Sequence, residues 1–166
     1  LVWGEGGYEF STGDIRHFVR QCVSPYHGRF YGFTAATFSR PWSEPLFTDE
    51  RQFVDETIKA LRDDAAQGAK GLKILKELGL RYRDGRGDLI FIDDERLAPI
   101  FEEAGKMGMP VLTHQSDPYG FFEPATPDNE HYESLLKYPS WSFADPKYPR
   151  KLELLKHRDR LLKNHP

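Results

Sequence analysis

The sequence predicts an α/β protein with a parallel sheet. Short apolar segments rich in β-branched and aromatic residues alternate with amphipathic helical patterns, an order typical of parallel strands joined by right-handed helical crossovers. The connections that follow the strands are long, and those that precede the second and third strands are short. Barrels of alternating strands and helices carry their active face on such long loops. We therefore expect a (β/α) barrel, with a doubly wound open sheet as the alternative.

Helices are predicted where apolar residues recur every three or four positions. They span 15–23, 49–67, 94–106, 130–137 and 150–164. The second helix starts near Asp49, and Gly68 occupies the position at which glycine commonly ends a helix. The sequence does not fix the residue at which the third helix starts, because Pro99 lies inside the pattern and proline is tolerated only in the first turn. Asn129 is a candidate N-terminal cap of the fourth.

Three strands are predicted from runs of apolar residues, over 29–38, 71–75 and 111–114. Alternation along the second strand places Leu72 and Ile74 toward the helices and Lys73 toward the interior of the barrel. A buried lysine needs a partner, so Lys73 either forms an ion pair or has a function. Lys76, at the start of the following loop, is expected to be solvated.

Composition limits the classes of function. The chain has 166 residues, which is room for one domain. Its 23 basic and 26 acidic residues give a net charge of −3, too balanced to indicate binding to nucleic acid or to an anionic membrane. Cys22 is the single cysteine, so an internal disulfide and a thiolate zinc cluster are excluded. A reducing compartment is consistent with this, and we expect a cytoplasmic protein.

The end of the third strand carries the strongest candidate for chemistry. An imidazole at His114 would lie at the mouth of the sheet, where it can meet a metal ion or a substrate oxygen. The alternative is a histidine that is hydrogen-bonded among loop backbone groups. Asp117 either orients this histidine or starts a turn before Pro118.

Aromatic residues crowd the segment that follows His114. Phe121, Phe122 and Trp141 form either the wall of a substrate pocket or a hydrophobic cluster beneath the loop. No His-x-His, His-Glu-x-x-His, Gly-x-Gly-x-x-Gly or Walker motif accompanies them. A zinc site needs three or four ligands, and His114 alone is well placed for one.

An ordered series of motifs adds a family resemblance. The series comprises GAKGLKILKELGL (68–80), DDERLAPIF (93–101), GMPVLTHQSDP (108–118), FFEP (121–124), NE (129–130) and PSWSF (139–143). Together these motifs resemble the amidohydrolase-related family of metal-dependent hydrolases, whose members have the TIM-barrel fold. The resemblance covers about 26–166.

The resemblance implies a divalent metal ion, zinc in our expectation, that is held by a His-x-His on the first strand, a histidine on the fifth and an aspartate on the eighth. His114 matches the fifth-strand histidine. Lys73 lies on the fourth strand, where some superfamily members carry a carboxylated lysine that bridges two metals. The implied reaction is attack of metal-activated water on a C–N, ester, lactone or related bond. Lys73 and Asp117 are then catalytic candidates, and Phe121, Phe122 and Trp141 bind the substrate.

Two alternatives to a hydrolase stay open. A non-oxidative decarboxylase of the same superfamily would hold a carboxylated ring substrate at the metal. The chain also lacks the first-strand histidine pair and the final aspartate, so we expect a partial TIM-type barrel, without the first and last strands, forming one domain over 1–166. Such a fragment would be inactive alone, and a second copy would cover its open edges, which predicts a homo-oligomer.

Overall fold

The computed structural model describes residues 15–26, 28–38, 45–47 and 49–165. In this part of the chain, three strands form a parallel sheet in the order β1 (Gly32–Thr34), β2 (Ala69–Ile74) and β3 (Val111–Thr113). Leu72, near the centre of β2, is the register partner of Thr34 on one side and of Val111 on the other. The predicted α/β class with a parallel sheet is therefore confirmed.

Five α-helices lie in the described residues: α1 (Ile15–Phe18), α2 (Glu50–Ala66), α3 (Ala98–Lys106), α4 (Tyr132–Lys137) and α5 (Lys151–Asn164). The first continues as a π-helical turn over Val19–Val23. Asp49 caps α2 by accepting a hydrogen bond from the Gln52 amide at 3.1 Å. Gly68, with φ of 108°, follows the last turn, as its position in the sequence predicts.

Two predicted boundaries were wrong. The first strand is three residues long rather than ten, because Ala36 adopts a positive φ and the Phe38 amide closes a turn onto the Ala35 carbonyl. Asn129 does not cap α4, which begins after His131. The Asn129 amide instead donates to the carbonyls of Gly120 and Pro124, and so holds the preceding loop closed.

One face of the sheet is packed and the other is open in the described part of the chain. Leu72 and Ile74 are fully buried in a core that includes side chains of α2 and α3. The opposite face carries Phe33, which is 37% exposed, and Leu112, which is 53% exposed. The Phe33 ring lies directly over Gly71, where a Cβ would come within 2.2 Å of it. Helices thus cover the face that the alternation of residues predicted.

A second hydrophobic cluster joins the long loops to α4 and α5. Its buried members are Leu80, Phe121, Phe122, Leu135, Phe143 and Leu154. Next to it, His157 of α5 stacks on Phe91 with 3.7 Å between ring centroids, and Arg160 donates to Asp93 at 2.6 Å. Within the described ranges, no helix is both long and apolar enough to cross a membrane.

Candidate functional site

The carboxyl ends of β2 and β3 lie side by side. Ile74 is the register partner of Thr113, and the His114 amide donates to the Ile74 carbonyl at 2.9 Å. The two loops that follow these strands therefore start at the same edge of the sheet. Active sites of α/β proteins are built at this edge, and the sequence places its polar candidates here.

His114 is half-buried, and one of its ring nitrogens is engaged. Nε2 lies 3.0 Å from the backbone oxygen of Asp117. Because a carbonyl oxygen can only accept, Nε2 carries the hydrogen, so in the neutral ring Nδ1 keeps a lone pair. Histidines that bind metals commonly have this arrangement, with the other ring nitrogen donating to a carbonyl or carboxylate. Burial lowers the pKa of His114, the contact with Asp117 opposes this, and the charges of Lys76 and Lys73 lower it further.

Asp117 contributes its backbone rather than its side chain to this contact. Its exposed carboxylate instead accepts from Lys151 Nζ, at the start of α5, at 2.9 Å. The carboxylate thus ties the loop to α5, while the carbonyl orients the His114 ring.

Lys73 lies on the open face of the sheet, opposite Leu112 of β3. Among the residues that the structure describes, Lys73 has no salt-bridge partner, so the ion pair that was one alternative is not formed there. Burial lowers the pKa of Lys73. An amine in this position is available to a group that enters the open face.

Lys76 is buried, and the expectation that it is solvated was wrong. The residue is only 7% exposed. Nζ lies 4.8 Å from the ring centroid of Phe121 and 5.4 Å from that of Phe143. Burial lowers the pKa of Lys76 to about 8, and the neighbouring charge of Glu77 opposes the shift. The aromatic faces stabilise the cation that burial disfavours.

Glu77 and Arg81 form a buried pair beside Lys76 that sequence reasoning missed. Arg81 Nε lies 3.4 Å from Glu77 Oε2, and the two side chains are 5% and 4% exposed. Arg81 also donates to the Ser140 carbonyl, and its guanidinium lies 5.1 Å from the Phe143 ring centroid. Neither Glu77 carboxylate oxygen accepts a hydrogen bond from a described residue. Burial raises the pKa of Glu77, and the charges of Arg81 and Lys76 oppose the rise. The sequence offered no signal for this pair, because a four-residue spacing brings side chains together on a helix and 77–81 is a turn segment.

The three predicted substrate-binding aromatics lie in or against the second hydrophobic cluster. Phe121 and Phe122 are buried there, with the Phe121 ring beside Lys76 Nζ. Trp141 is half-buried, 5.6 Å from the Phe121 centroid, and stacks on Tyr138 at 4.5 Å. The structure therefore brings Phe121 and Trp141 together near Lys76, and packs Phe122 against Phe143.

A complete metal site is not assembled by the described residues. Among them, no group of three or more histidine, cysteine, aspartate or glutamate side chains could hold an ion. His114 has the geometry of one ligand, but a zinc site needs three or four. The described residues alone do not fit the metal that the resemblance implies.

Comparisons with known proteins give no assignment. No family model, no curated protein and no solved structure matches this chain.

Because Lys76 is buried, we expect the folded chain to become more stable as the pH rises into the alkaline range. The pKa of Lys76 is about 8 in the folded chain, whereas the ordinary pKa of a free lysine side chain is 10.5. The unfolded chain therefore holds more protons between these two values, so folding becomes more favourable as the pH rises through this window. Across this pH window, the free energy of unfolding of the wild-type chain should rise by up to about 3 kcal/mol more than that of Lys76→Met.

Urea unfolding at a series of alkaline pH values measures this gain. Lys70→Met is the matched control, because Lys70 is an exposed lysine of β2, the strand that precedes Lys76. A parallel pH dependence of the wild-type chain and Lys76→Met would show that Lys76 is solvated after all.

Proposed function

We propose that this chain is the central part of a (β/α) barrel of the amidohydrolase-related type and carries one metal ligand, His114, of a metal-dependent hydrolase. The observation that carries the proposal is the His114 ring at the carboxyl edge of the sheet. The Asp117 carbonyl fixes the tautomer and leaves Nδ1 with its lone pair. The motifs around His114 support the family, and a small molecule with a hydrolysable C–N, ester or lactone bond is the proposed substrate.

The one-sided sheet supports a barrel. Purely parallel sheets occur almost only where both faces are covered. In the described residues, α2 and α3 cover one face, and Phe33, Lys73 and Leu112 lie on the other. In a barrel the second face is the interior, which side chains from the remaining strands fill. The apolar residues on the open face of this sheet match that role.

Within this proposal, the chain's own residues bind and orient. His114 supplies one imidazole, and Asp117 holds its ring through the backbone. Lys73 provides a cation on the face that becomes the interior. The remaining metal ligands would have to come from outside the described residues, since no complete set lies within them.

Zinc binding tests the assignment of His114. We expect His114→Asn to lower zinc affinity by about tenfold or more, because a direct ligand matters at least as much as the groups that support it. The measurement is equilibrium dialysis against zinc with elemental analysis, together with circular dichroism to confirm folding. His17→Asn is the matched control, since His17 is an exposed histidine of α1. Equal zinc affinity in wild-type and His114→Asn protein would rule out the assignment.

A decarboxylase is the second candidate, and one observation favours it. The charges of Lys73 and Lys76 both act on His114, and cations beside a metal ligand suit a substrate that carries a carboxylate. Release of carbon dioxide from aromatic acids, without hydrolysis of esters or amides, would favour this reaction over the hydrolase.

For the chain alone, we propose inactivity and self-association through the open face. Phe33 and Leu112 expose apolar surface on the two edge strands, β1 and β3, and a second copy would cover both. Leu112→Glu should shift the chain from dimer to monomer in sedimentation velocity at micromolar concentration. Leu152→Glu is the control, because Leu152 is a 73% exposed leucine of α5, away from the sheet. A monomeric wild-type chain at that concentration would contradict the dimer.

A further inference from the structure

A polar groove of about 620 Å³ lies between two loops, and the proposed metal ligand does not line it. One wall comes from the connection after β2 and the other from the connection between α4 and α5. Its polar lining comprises Arg81, Arg83, Ser140, Ser142, Asp145, Lys147 and Tyr148. Its volume falls in the range of small-molecule pockets, about 300–1,000 Å³. His114, Lys73 and Asp117 do not line it, so it is separate from the proposed metal ligand.

The cations of the groove are held in different ways. Arg81 lies at its base, nine-tenths buried, and its guanidinium is held by Glu77, the Ser140 carbonyl and the Phe143 ring. Arg83 is exposed at the rim, where it donates to the Gly87 carbonyl at 2.7 Å. Lys147 is exposed on the opposite wall. A fixed guanidinium at the base with exposed cations at the rim is suited to an entering oxyanion.

The acidic groups around the groove are each matched by a cation. Asp145 accepts from the Lys147 amide at 2.9 Å, and its other oxygen lies 3.4 Å from Lys147 Nζ. Glu77 lies behind Arg81 and faces it at 3.4 Å. The groove therefore has three cationic side chains, of Arg81, Arg83 and Lys147, and two carboxylates, of Asp145 and Glu77. The exposed Arg83 provides the excess positive charge. The hydroxyl groups of Ser140, Ser142 and Tyr148 add neutral hydrogen-bond donors.

We infer that this groove binds the oxyanion group, phosphate or carboxylate, of a small molecule. Donors line both walls, the excess charge is positive, and the apolar residues Leu80 and Pro139 provide room for an uncharged portion of the ligand. Phosphate and carboxylate can each accept two parallel N–H bonds from an arginine, so the chemistry of the groove accommodates both.

Titration with inorganic phosphate and, separately, with benzoate tests the inference. The readout is the backbone amide shifts of 15N-labelled protein, followed at residues 81–83 and 140–148. We expect saturable shifts in these two segments with at least one anion. In the double variant R83Q/K147Q, binding should weaken by about tenfold or more, which corresponds to about 1.4 kcal/mol. Both positions are exposed, so the variant should fold.

The matched control is K106Q/K163Q, which also removes two exposed positive charges, at the ends of α3 and α5. Its affinity should equal that of the wild-type chain. Saturation by phosphate alone identifies a phosphate site, and saturation by benzoate alone identifies a carboxylate site. The inference is overturned if neither anion saturates, if the shifts fall outside the two segments, or if both double variants weaken binding equally.

Discussion

Replacing Leu72 by alanine is expected to destabilise the fold by about 3 kcal/mol, in the range measured for buried leucines in other proteins. Leu72 is fully buried near the centre of β2 and belongs to the main hydrophobic core. The loss combines the transfer free energy of the deleted atoms with the cavity that they leave. Urea unfolding, with the midpoint and slope compared between variant and wild type, measures it.

Leu112 provides the matched control for this prediction. It is the same residue type on the neighbouring strand, but it is 53% exposed on the open face. Under conditions where the chain is monomeric, Leu112→Ala should cost less than about 1 kcal/mol, because little apolar surface is removed from water there. Equal losses for the two substitutions would mean that the open face is covered within the monomer.

Arg81→Met is expected to cost about 3 kcal/mol or more, because it leaves the Glu77 carboxylate buried without its cation. The pair is almost completely buried, with side chains 5% and 4% exposed. The double variant E77Q/R81M should recover a large share of the loss, since no buried charge of the pair then remains. Thermal and urea unfolding of the three chains measure the effect.

The ion pair of Arg62 and Glu103 provides the control for Arg81. Its atoms are closer, at 2.7 Å, but the Arg62 side chain is 60% exposed. Arg62→Met should therefore cost less than about 1 kcal/mol. If Arg62→Met cost as much as Arg81→Met, distance rather than burial would determine the energetics of these pairs.

The cost of Arg81→Met should also depend on pH. Burial raises the pKa of Glu77 above 4.5 in the folded chain, so the stability associated with its neutral form is present at acid pH and is lost as the pH rises through the folded pKa. Without Arg81 this pKa rises further, and protonation relieves the buried charge more readily. The variant should therefore lose less stability at about pH 5 than at about pH 7. An equal loss at both values would place the carboxylate in contact with water.

Features that depend only on neighbouring residues could be predicted from the sequence. Alternation gave the correct faces for Leu72 and Ile74, and Gly68 marked the end of α2. The length of β1 could not be predicted, because the ten-residue apolar pattern does not say where pairing with β2 stops. That limit comes from the positive φ of Ala36.

The candidate site was also predictable only in part. The position of His114 after a strand was predictable, but its partner atom was not, because a backbone carbonyl is common to every residue type. Lys76 and the pair of Glu77 and Arg81 lie in a loop without periodicity. Their burial depends on Phe143, more than sixty residues further along the chain, which loop composition does not reveal.

The central position of β2 has a consequence for how fast the protein folds. Its register partners on β1 and β3 lie nearly forty residues away along the chain, one before it and one after it. Chain entropy therefore opposes the two pairings by similar amounts, since the cost of closing a loop varies slowly with its length. Pairings between such distant segments are slower than helix formation. The folding rate is then governed by two distant segments that must each find the same strand.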